Sequence, residues 1–366
     1  MQSLRGGGAE TFVRELVPRL RVRGLDAQVL CAYGASRLSV GETQSWSGKI
    51  YCQQRSGVSK FAYLARLRRL MQQVAPDVVH THTHVGASWG RAAAVLAGVP
   101  VIAHTEHRSV ETLSYLERLA FGVLNNRTDV VVTFSERAAE LVRRRENVRD
   151  LRIIPNGVVV RPSPSQGDRD AARDQLAFEQ SSVIVGMIAN LYAHKNPSAA
   201  IEAVASLSSQ LRATVRLAMF GDGPQRSSLE QLARELGIRD CVRFFGFRAD
   251  LELLLPGLDM VLTTSPREMM PMSLLEAMNA ALPIVGTPHA GTLDLVVDAE
   301  TGLIVRSWEP RQIAEAIAWA ATNPEWRRRA GNAAYVRLAK NFDIEKVADQ
   351  YFALYDSLLH REPALK

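Results

Sequence analysis

Residues 259–286 constrain the fold more than any other stretch. An apolar run, residues 259–265, reads as a buried parallel strand; helix-forming residues 274–278 follow a short loop; residues 282–286 form a second apolar run. Strand, loop, helix and strand make one βαβ unit, whose loop opens at the C-terminal edge of a parallel sheet. Open α/β sheets bind ligands at that edge. Pro271 suits a first helical turn because its missing N–H would have no partner there. The free amides of that turn form an anion site. Glu268 falls in the loop and Glu276, eight residues on, about one turn into the helix. A carboxylate is a poor phosphate ligand and a good acceptor for sugar hydroxyls, so the pair beside an anion site suggests a sugar nucleotide. Read without that setting, both are helix-end acids, favourable near any helix N-terminus.

The rest of the chain repeats this alternation. Residues 8–22 and 60–74 have helical periodicity, as does a small-residue segment, 86–97. Apolar runs at 27–31, 77–80, 99–104, 129–134 and 151–154 read as strands. A second series follows at 182–188, 212–220, 242–245, 260–264, 284–286 and 302–305. Residues 161–170, polar with two prolines, are the best linker. At 366 residues, two domains are expected. We place an N-terminal, acceptor-side Rossmann-like domain at 1–165 and a C-terminal, nucleotide-binding one at 176–342. The terminal segment 343–366, with Val347, Tyr351, Leu354, Tyr355 and Leu358 at helical spacing, is expected to pack back toward the first domain. The glycine run Gly6, Gly7 and Gly8 comes where a doubly wound domain would already have placed a buried strand, so a first strand is expected to be missing.

Composition bounds the function classes. The chain carries a formal net charge of +6, and residues 1–165 alone carry 23 Lys and Arg against 13 Asp and Glu. Basic clusters fall on predicted helices at Arg19, Arg21 and Arg23, at Arg66, Arg68 and Arg69, and at Arg143, Arg144 and Arg145. Such an excess suits an anionic membrane surface, a phospholipid-linked acceptor or an acidic glycan, or equally a set of solvated helix faces. Aromatic residues are not interleaved with the clusters, which disfavours nucleic acid. Cys31, Cys52 and Cys241 are scattered and form no CxxC pair. With no leader or spanning segment in view, the expected location is cytoplasmic, working at the inner face of the membrane. The loop from Gly34 to Gly57 is irregular and is assigned to the acceptor side.

Several segments, in order, resemble the retaining glycosyltransferases of the GT4 family. Gly6-Gly7-Gly8-Ala9-Glu10 is similar to its N-terminal glycine loop, and Ile154-Pro155-Asn156-Gly157-Val158 to the end of its first domain. Phe220-Gly221-Asp222-Gly223-Pro224 resembles its second glycine turn, and Glu268 to Glu276 its E-x7-E signature. The resemblance implies the GT-B fold, two Rossmann-like domains facing a cleft. It also implies sugar transfer from a nucleoside-diphosphate donor to a hydroxyl, with retention and with no metal or other cofactor. Implied donor contacts are Gly7, Gly8, Asn190, Lys195, Met272, Ser273 and Glu276; implied catalytic residues are Glu268, Lys195 and His107, with His104 second. Implied partners are the sugar nucleotide and a saccharide or lipid-linked acceptor, in bacterial polysaccharide or lipopolysaccharide synthesis.

The residues themselves fit. Three glycines expose amides to a diphosphate without side-chain obstruction, and they lack the G-x-G-x-x-G spacing of a dinucleotide site. Lys195 follows the strand at 182–188 and could neutralise a leaving diphosphate. Asn190 stands where the family usually has Arg, Met269 where it commonly has Gly, and Asp294 where it has Glu; Arg248 is a candidate replacement cation. His80, His82 and His84 alternate after one strand, and His104 and His107 follow the next, a pattern that by itself also suits metal binding. Two alternatives stay open: a nucleotide-sugar 2-epimerase, and an inactive nucleotide-sugar-binding protein.

Overall fold

The structure, a computed structural model, describes residues 7–31, 49–52, 57–83, 86–107 and 115–361. Gly6 and His84 lie outside the described residues. The chain divides into two compact units, Met1–Val159 with Asp343–Lys366, and Val160–Phe342.

In the first unit the strands are β1 (Val29–Cys31), β2 (Ile50–Cys52), β3 (Val78–His82), β4 (Val101–Thr105), β5 (Val130–Thr133) and β6 (Leu151–Ile153). All pairings are parallel, and among the described residues they form two separate sheets, β1-β2 and β3-β4-β5-β6. β2 falls inside the stretch read above as irregular loop. The Lys60–Val74 helix buries Tyr63, Leu67 and Met71 against Ala93, Ala94 and Ile102. Each such buried aliphatic side chain contributes roughly 1.5–3 kcal/mol relative to exposure.

The terminal helix, Ile344–Leu359, belongs to this unit. Its entry is fixed by the Ile344 N–H donating to the Val158 carbonyl at 3.0 Å. A side chain at Gly157 would stand 2.9 Å from both Ile344 Cα and Val347 Cγ2, so only glycine allows this approach. The stripe Val347, Tyr351, Leu354, Tyr355 and Leu358 is buried. On its polar side, Glu345 and Asp349 receive Arg19 (2.8 Å) and Arg23 (2.7 Å to Asp349) from the Gly8–Val22 helix. Arg19 and Arg23 are thus neutralised within their own unit, while Arg21 donates to the Ala27 carbonyl at 3.2 Å. The third cluster is neutralised too: Arg143 pairs with Glu136, Arg144 with Glu140 and Arg145 with Glu106 and Glu146. Arg66, Arg68 and Arg69 are exposed and make no ion pair among the described residues.

The second unit holds β7 (Val183–Ile188), β8 (Val215–Phe220), β9 (Val242–Gly246), β10 (Met260–Thr263), β11 (Ile284–Gly286) and β12 (Gly302–Ile304). They form one parallel sheet in the order β12-β11-β10-β7-β8-β9. Helices cover it, and Val185, Met187, Leu217 and Met219 pack against Ile201, Ile313 and Ile317. The strand order reverses between β7 and β10, where Val261 lies beside Gly186. The stretch read as a linker is helical from Gln166 to Leu176. Ser165 and Asp168 form a reciprocal capping box, which starts a helix despite the polar sequence.

Candidate active site

The order reversal is a topological switch point, where two neighbouring loops diverge and leave a crevice at the strand ends. The loops after β7 and β10 bring Lys195 and Glu268 into an ion pair between Lys195 Nζ and Glu268 Oε1. Both side chains are mostly buried, with 22% and 17% of their surface exposed. The loops are stitched together by Thr264, whose hydroxyl donates to the Asn196 carbonyl at 2.7 Å. Asn196 itself has φ +51° and turns the chain into the Pro197–Ala205 helix.

The glycine turn after β8 supports Lys195 from the other side. The Ala189 N–H donates to the Phe220 carbonyl and the Leu191 N–H to the Asp222 carbonyl, each at 3.0 Å. Gly221 has φ +123°, and a side chain there would overlap the Ala189 carbonyl oxygen. These are the physical reasons for glycine at this turn. Asn190 is exposed in the same loop. Arg248 is committed to Asp250 through two bonds of 2.7 and 2.6 Å, so its charge is already balanced.

Beyond Glu268 the chain enters the Met272–Asn279 helix. Pro271 is the N-cap, with φ −71° and ψ 128°, and no side chain caps this end. This corrects the placement of Pro271 inside the first turn. Proline restricts the residue before it and presets its own φ, so it delivers the chain to the helix without joining it. The Met272 and Ser273 amides therefore have no intrahelical acceptor. Met272 is buried; Ser273 and Glu276 are half-buried. A cation, an uncapped helix start and a carboxylate thus meet at one strand edge, an arrangement whose charge and free donors suit a diphosphate and whose acceptor suits a hydroxyl-rich group.

His289, given no role in the sequence reading, also belongs here. It is 3% exposed. Its pKa is pushed down to about 4, first by burial and further by Lys195, with Glu268 opposing. Its bond to Thr292 is local, but histidine is not among the usual capping residues, and Lys195 and Glu268 become its neighbours only on folding.

In the first unit Gly7 is the N-cap of Gly8–Val22 and lacks a side-chain cap. The Glu10 carboxylate folds back over it, where a side chain at Gly7 would collide. Phe12 on this helix packs on His82, ring centroids 6.4 Å apart. His82 Nδ1 is 3.1 Å from His107 Nε2. One of these nitrogens carries the proton and the other accepts it, which couples the two tautomers. His80 stacks on His82 and bonds to Tyr355 Oη (2.6 Å) and Thr105 Oγ1 (2.8 Å). Burial lowers the pKa of His107 to about 4 and of His80 to about 3, so both rings are neutral near pH 7. His104 is 2% exposed and its Nδ1 donates to the Thr81 carbonyl at 3.0 Å. Among the described residues no group of three or more His, Cys, Asp or Glu is arranged to hold a metal ion. Nor is any described helix long and apolar enough to cross a membrane.

Two family models match. "Glycosyltransferase Family 4" covers residues 6–161 and "Glycosyl transferases group 1" covers residues 168–337. The lipopolysaccharide core biosynthesis glycosyltransferase LpsD of Rhizobium meliloti (strain 1021) is 28% identical, with 96% of this chain and 95% of that protein aligned. The putative glycosyltransferase EpsD of Bacillus subtilis (strain 168) is 29% identical over 81% of each. Among solved structures, Anabaena HepE in complex with UDP-glucose superposes with a TM-score of 0.85 at 22% identity, covering 98% of both chains. The chain belongs to glycosyltransferase family 4, and its α/β fold with parallel sheets is that of GT-B proteins.

Proposed function

We propose that this glycosyltransferase moves a hexose-type sugar from a nucleoside-diphosphate donor to a hydroxyl of a saccharide or lipid-linked acceptor, with retention at the anomeric carbon. The observation that carries this reading is the Lys195–Glu268 pair at the switch point beside the uncapped Met272–Asn279 helix. Lys195 and the Met272 and Ser273 amides take the diphosphate. Glu268 accepts from sugar hydroxyls and Glu276 from the ribose. The departing phosphate oxygen takes the acceptor's proton as the C1–O bond to the donor breaks and the new one forms on the same face. Catalysis is then charge stabilisation and positioning, and no protein base is needed. The first unit contributes His107 and the Gly7 and Gly8 amides as its candidate substrate contacts.

The names of the relatives support bacterial polysaccharide or lipopolysaccharide synthesis, and the HepE complexes make UDP-sugars the first donors to try. A lipid-linked acceptor would bring the protein to an anionic membrane. The Lys60–Val74 helix suits that contact, with Arg66, Arg68 and Arg69 exposed and Phe61 86% exposed.

Calorimetric titration of UDP, GDP and ADP against the wild type and Glu276→Ala tests the reading. Selective binding of one nucleotide, lost in the variant, supports it. No binding of any of the three removes it.

A further inference from the structure

The segment after β11 holds a device that the proposed roles leave unused. Thr287 donates its N–H to the Thr263 carbonyl (3.1 Å) and its hydroxyl to the Ser265 carbonyl (2.9 Å), which ties this segment to the end of β10. His289 follows as the N-cap of the short Ala290–Leu295 helix. Its Nδ1 accepts the Thr292 N–H at 3.1 Å, and its Nε2 lies 2.8 Å from Thr292 Oγ1. An accepting Nδ1 leaves the single proton of a neutral imidazole on Nε2, which donates to the hydroxyl. The turn locked in this way presents the Gly291 N–H, and that group donates to the Glu268 carbonyl at 3.1 Å. A side chain at Gly291 would stand 2.5 Å from Pro271 Cδ and 3.0 Å from the Met269 carbonyl oxygen. The turn therefore lies flush against the loop that carries Glu268.

The choice of imidazole is informative. Serine, asparagine or aspartate cap helices well. Aspartate here would add a negative charge beside Glu268 and near the place assigned to the diphosphate. A buried neutral histidine caps without that charge and fills more volume than serine or asparagine.

We propose that His289 is a positioning residue for Glu268. By capping the Ala290–Leu295 turn it holds the Gly291 N–H on the Glu268 carbonyl, and so sets where the Glu268 carboxylate stands. This inference rests on the sugar-holding role given to Glu268 above.

The test compares His289→Ala, His289→Asn and His289→Asp with Glu268→Gln as reference. Turnover is read with whichever of UDP-glucose, GDP-mannose and ADP-glucose the wild type uses, and binding with the corresponding nucleoside diphosphate. His289→Ala is expected to lower kcat about 10- to 100-fold, as small misplacements of a positioned group do. Its nucleoside-diphosphate affinity should stay at the wild-type value. His289→Asn, a neutral acceptor, should recover most of the lost kcat. His289→Asp keeps an acceptor but adds a charge; it should not recover kcat and should displace the pH profile. Wild-type kcat and KM in His289→Ala, with Glu268→Gln impaired, overturns the inference even if Tm falls. Equal rescue by Asn and Asp, with His289→Ala impaired, supports positioning through the cap and overturns only the argument from charge. If His289→Ala does not fold, the Asn and Asp variants decide. Normal turnover by Glu268→Gln removes the assigned role of Glu268, and with it this proposal.

Discussion

Removing one or both charges of the Lys195–Glu268 pair tests the donor site directly. In the structure the lysine that would meet a diphosphate is already held by the carboxylate that would meet the sugar. A diphosphate must take Lys195 from Glu268. At 4 Å and an effective dielectric of about 20, a unit charge pair interacts by about 4 kcal/mol. Charged hydrogen bonds contribute a net of about 1.5–3 kcal/mol once desolvation is included. With 22% and 17% of these side chains exposed, the lower end of that range applies to the free protein. Lys195→Ala removes the cation and leaves Glu268 facing the phosphates, so nucleoside-diphosphate binding should weaken by about 2–3 kcal/mol, roughly 30- to 150-fold. Glu268→Gln frees Lys195, so binding should be unchanged or up to about tenfold tighter while turnover falls. In the double variant the like-charge term is gone, and binding should recover by about 1 kcal/mol from the Lys195→Ala value. Titration calorimetry with UDP, GDP and ADP on all four proteins gives the cycle. Lys195→Ala binding as tightly as wild type, or no recovery of binding in the double variant, would refute the competition between carboxylate and phosphate.

Other perturbations have equally defined outcomes. His80, His107 and His289 have folded pKa values depressed to about 3–4 by burial. Below about pH 6.5 the unfolded chain binds protons at these sites that the folded one does not, so stability is full above that pH and falls as pH drops toward 4, by about 1.4 kcal/mol per unit per group. Urea midpoints that are flat between pH 7 and pH 5 would contradict this. Gly221→Ala forces a methyl group onto the Ala189 carbonyl at φ +123°; it should destabilise by about 1–3 kcal/mol and weaken nucleotide binding through the Lys195 loop, read by Tm and calorimetry. Arg66→Glu, Arg68→Glu and Arg69→Glu together should abolish sedimentation with anionic vesicles at about 1 kcal/mol per lost cation, leaving turnover of a soluble acceptor intact; undiminished vesicle binding would remove this helix as the membrane contact.

Much of the scaffold was legible because strand and helix periods are local. The βαβ pattern at 259–286, the alternation on either side of it and the apolar stripe of the terminal helix are each readable within a window of some twenty residues. The glycine turn at Gly221 was legible too, as a family motif whose physical reason, a positive φ against the Ala189 carbonyl, came from the structure. Local patterns also misled. The polar linker at 161–170 hid a capping box, and the arginine clusters at 19–23 and 143–145 looked like open cationic faces.

By itself, the sequence determined that parallel strands would deliver Lys195 and Glu268 to loop ends and that a helix would begin near Pro271; the structure made Pro271 its cap and Met272 its first residue. Only the tertiary structure decided what those groups touch. Lys195 and Glu268 are 73 residues apart and become partners because β7 and β10 are adjacent in the sheet. His289 reaches the site because Gly291 lets one turn lie against another. Arg23 is neutralised by a helix that follows more than 300 residues later. Charge and hydrogen bonding act over a few ångströms of space, and sheet order, not sequence distance, sets which groups come that close.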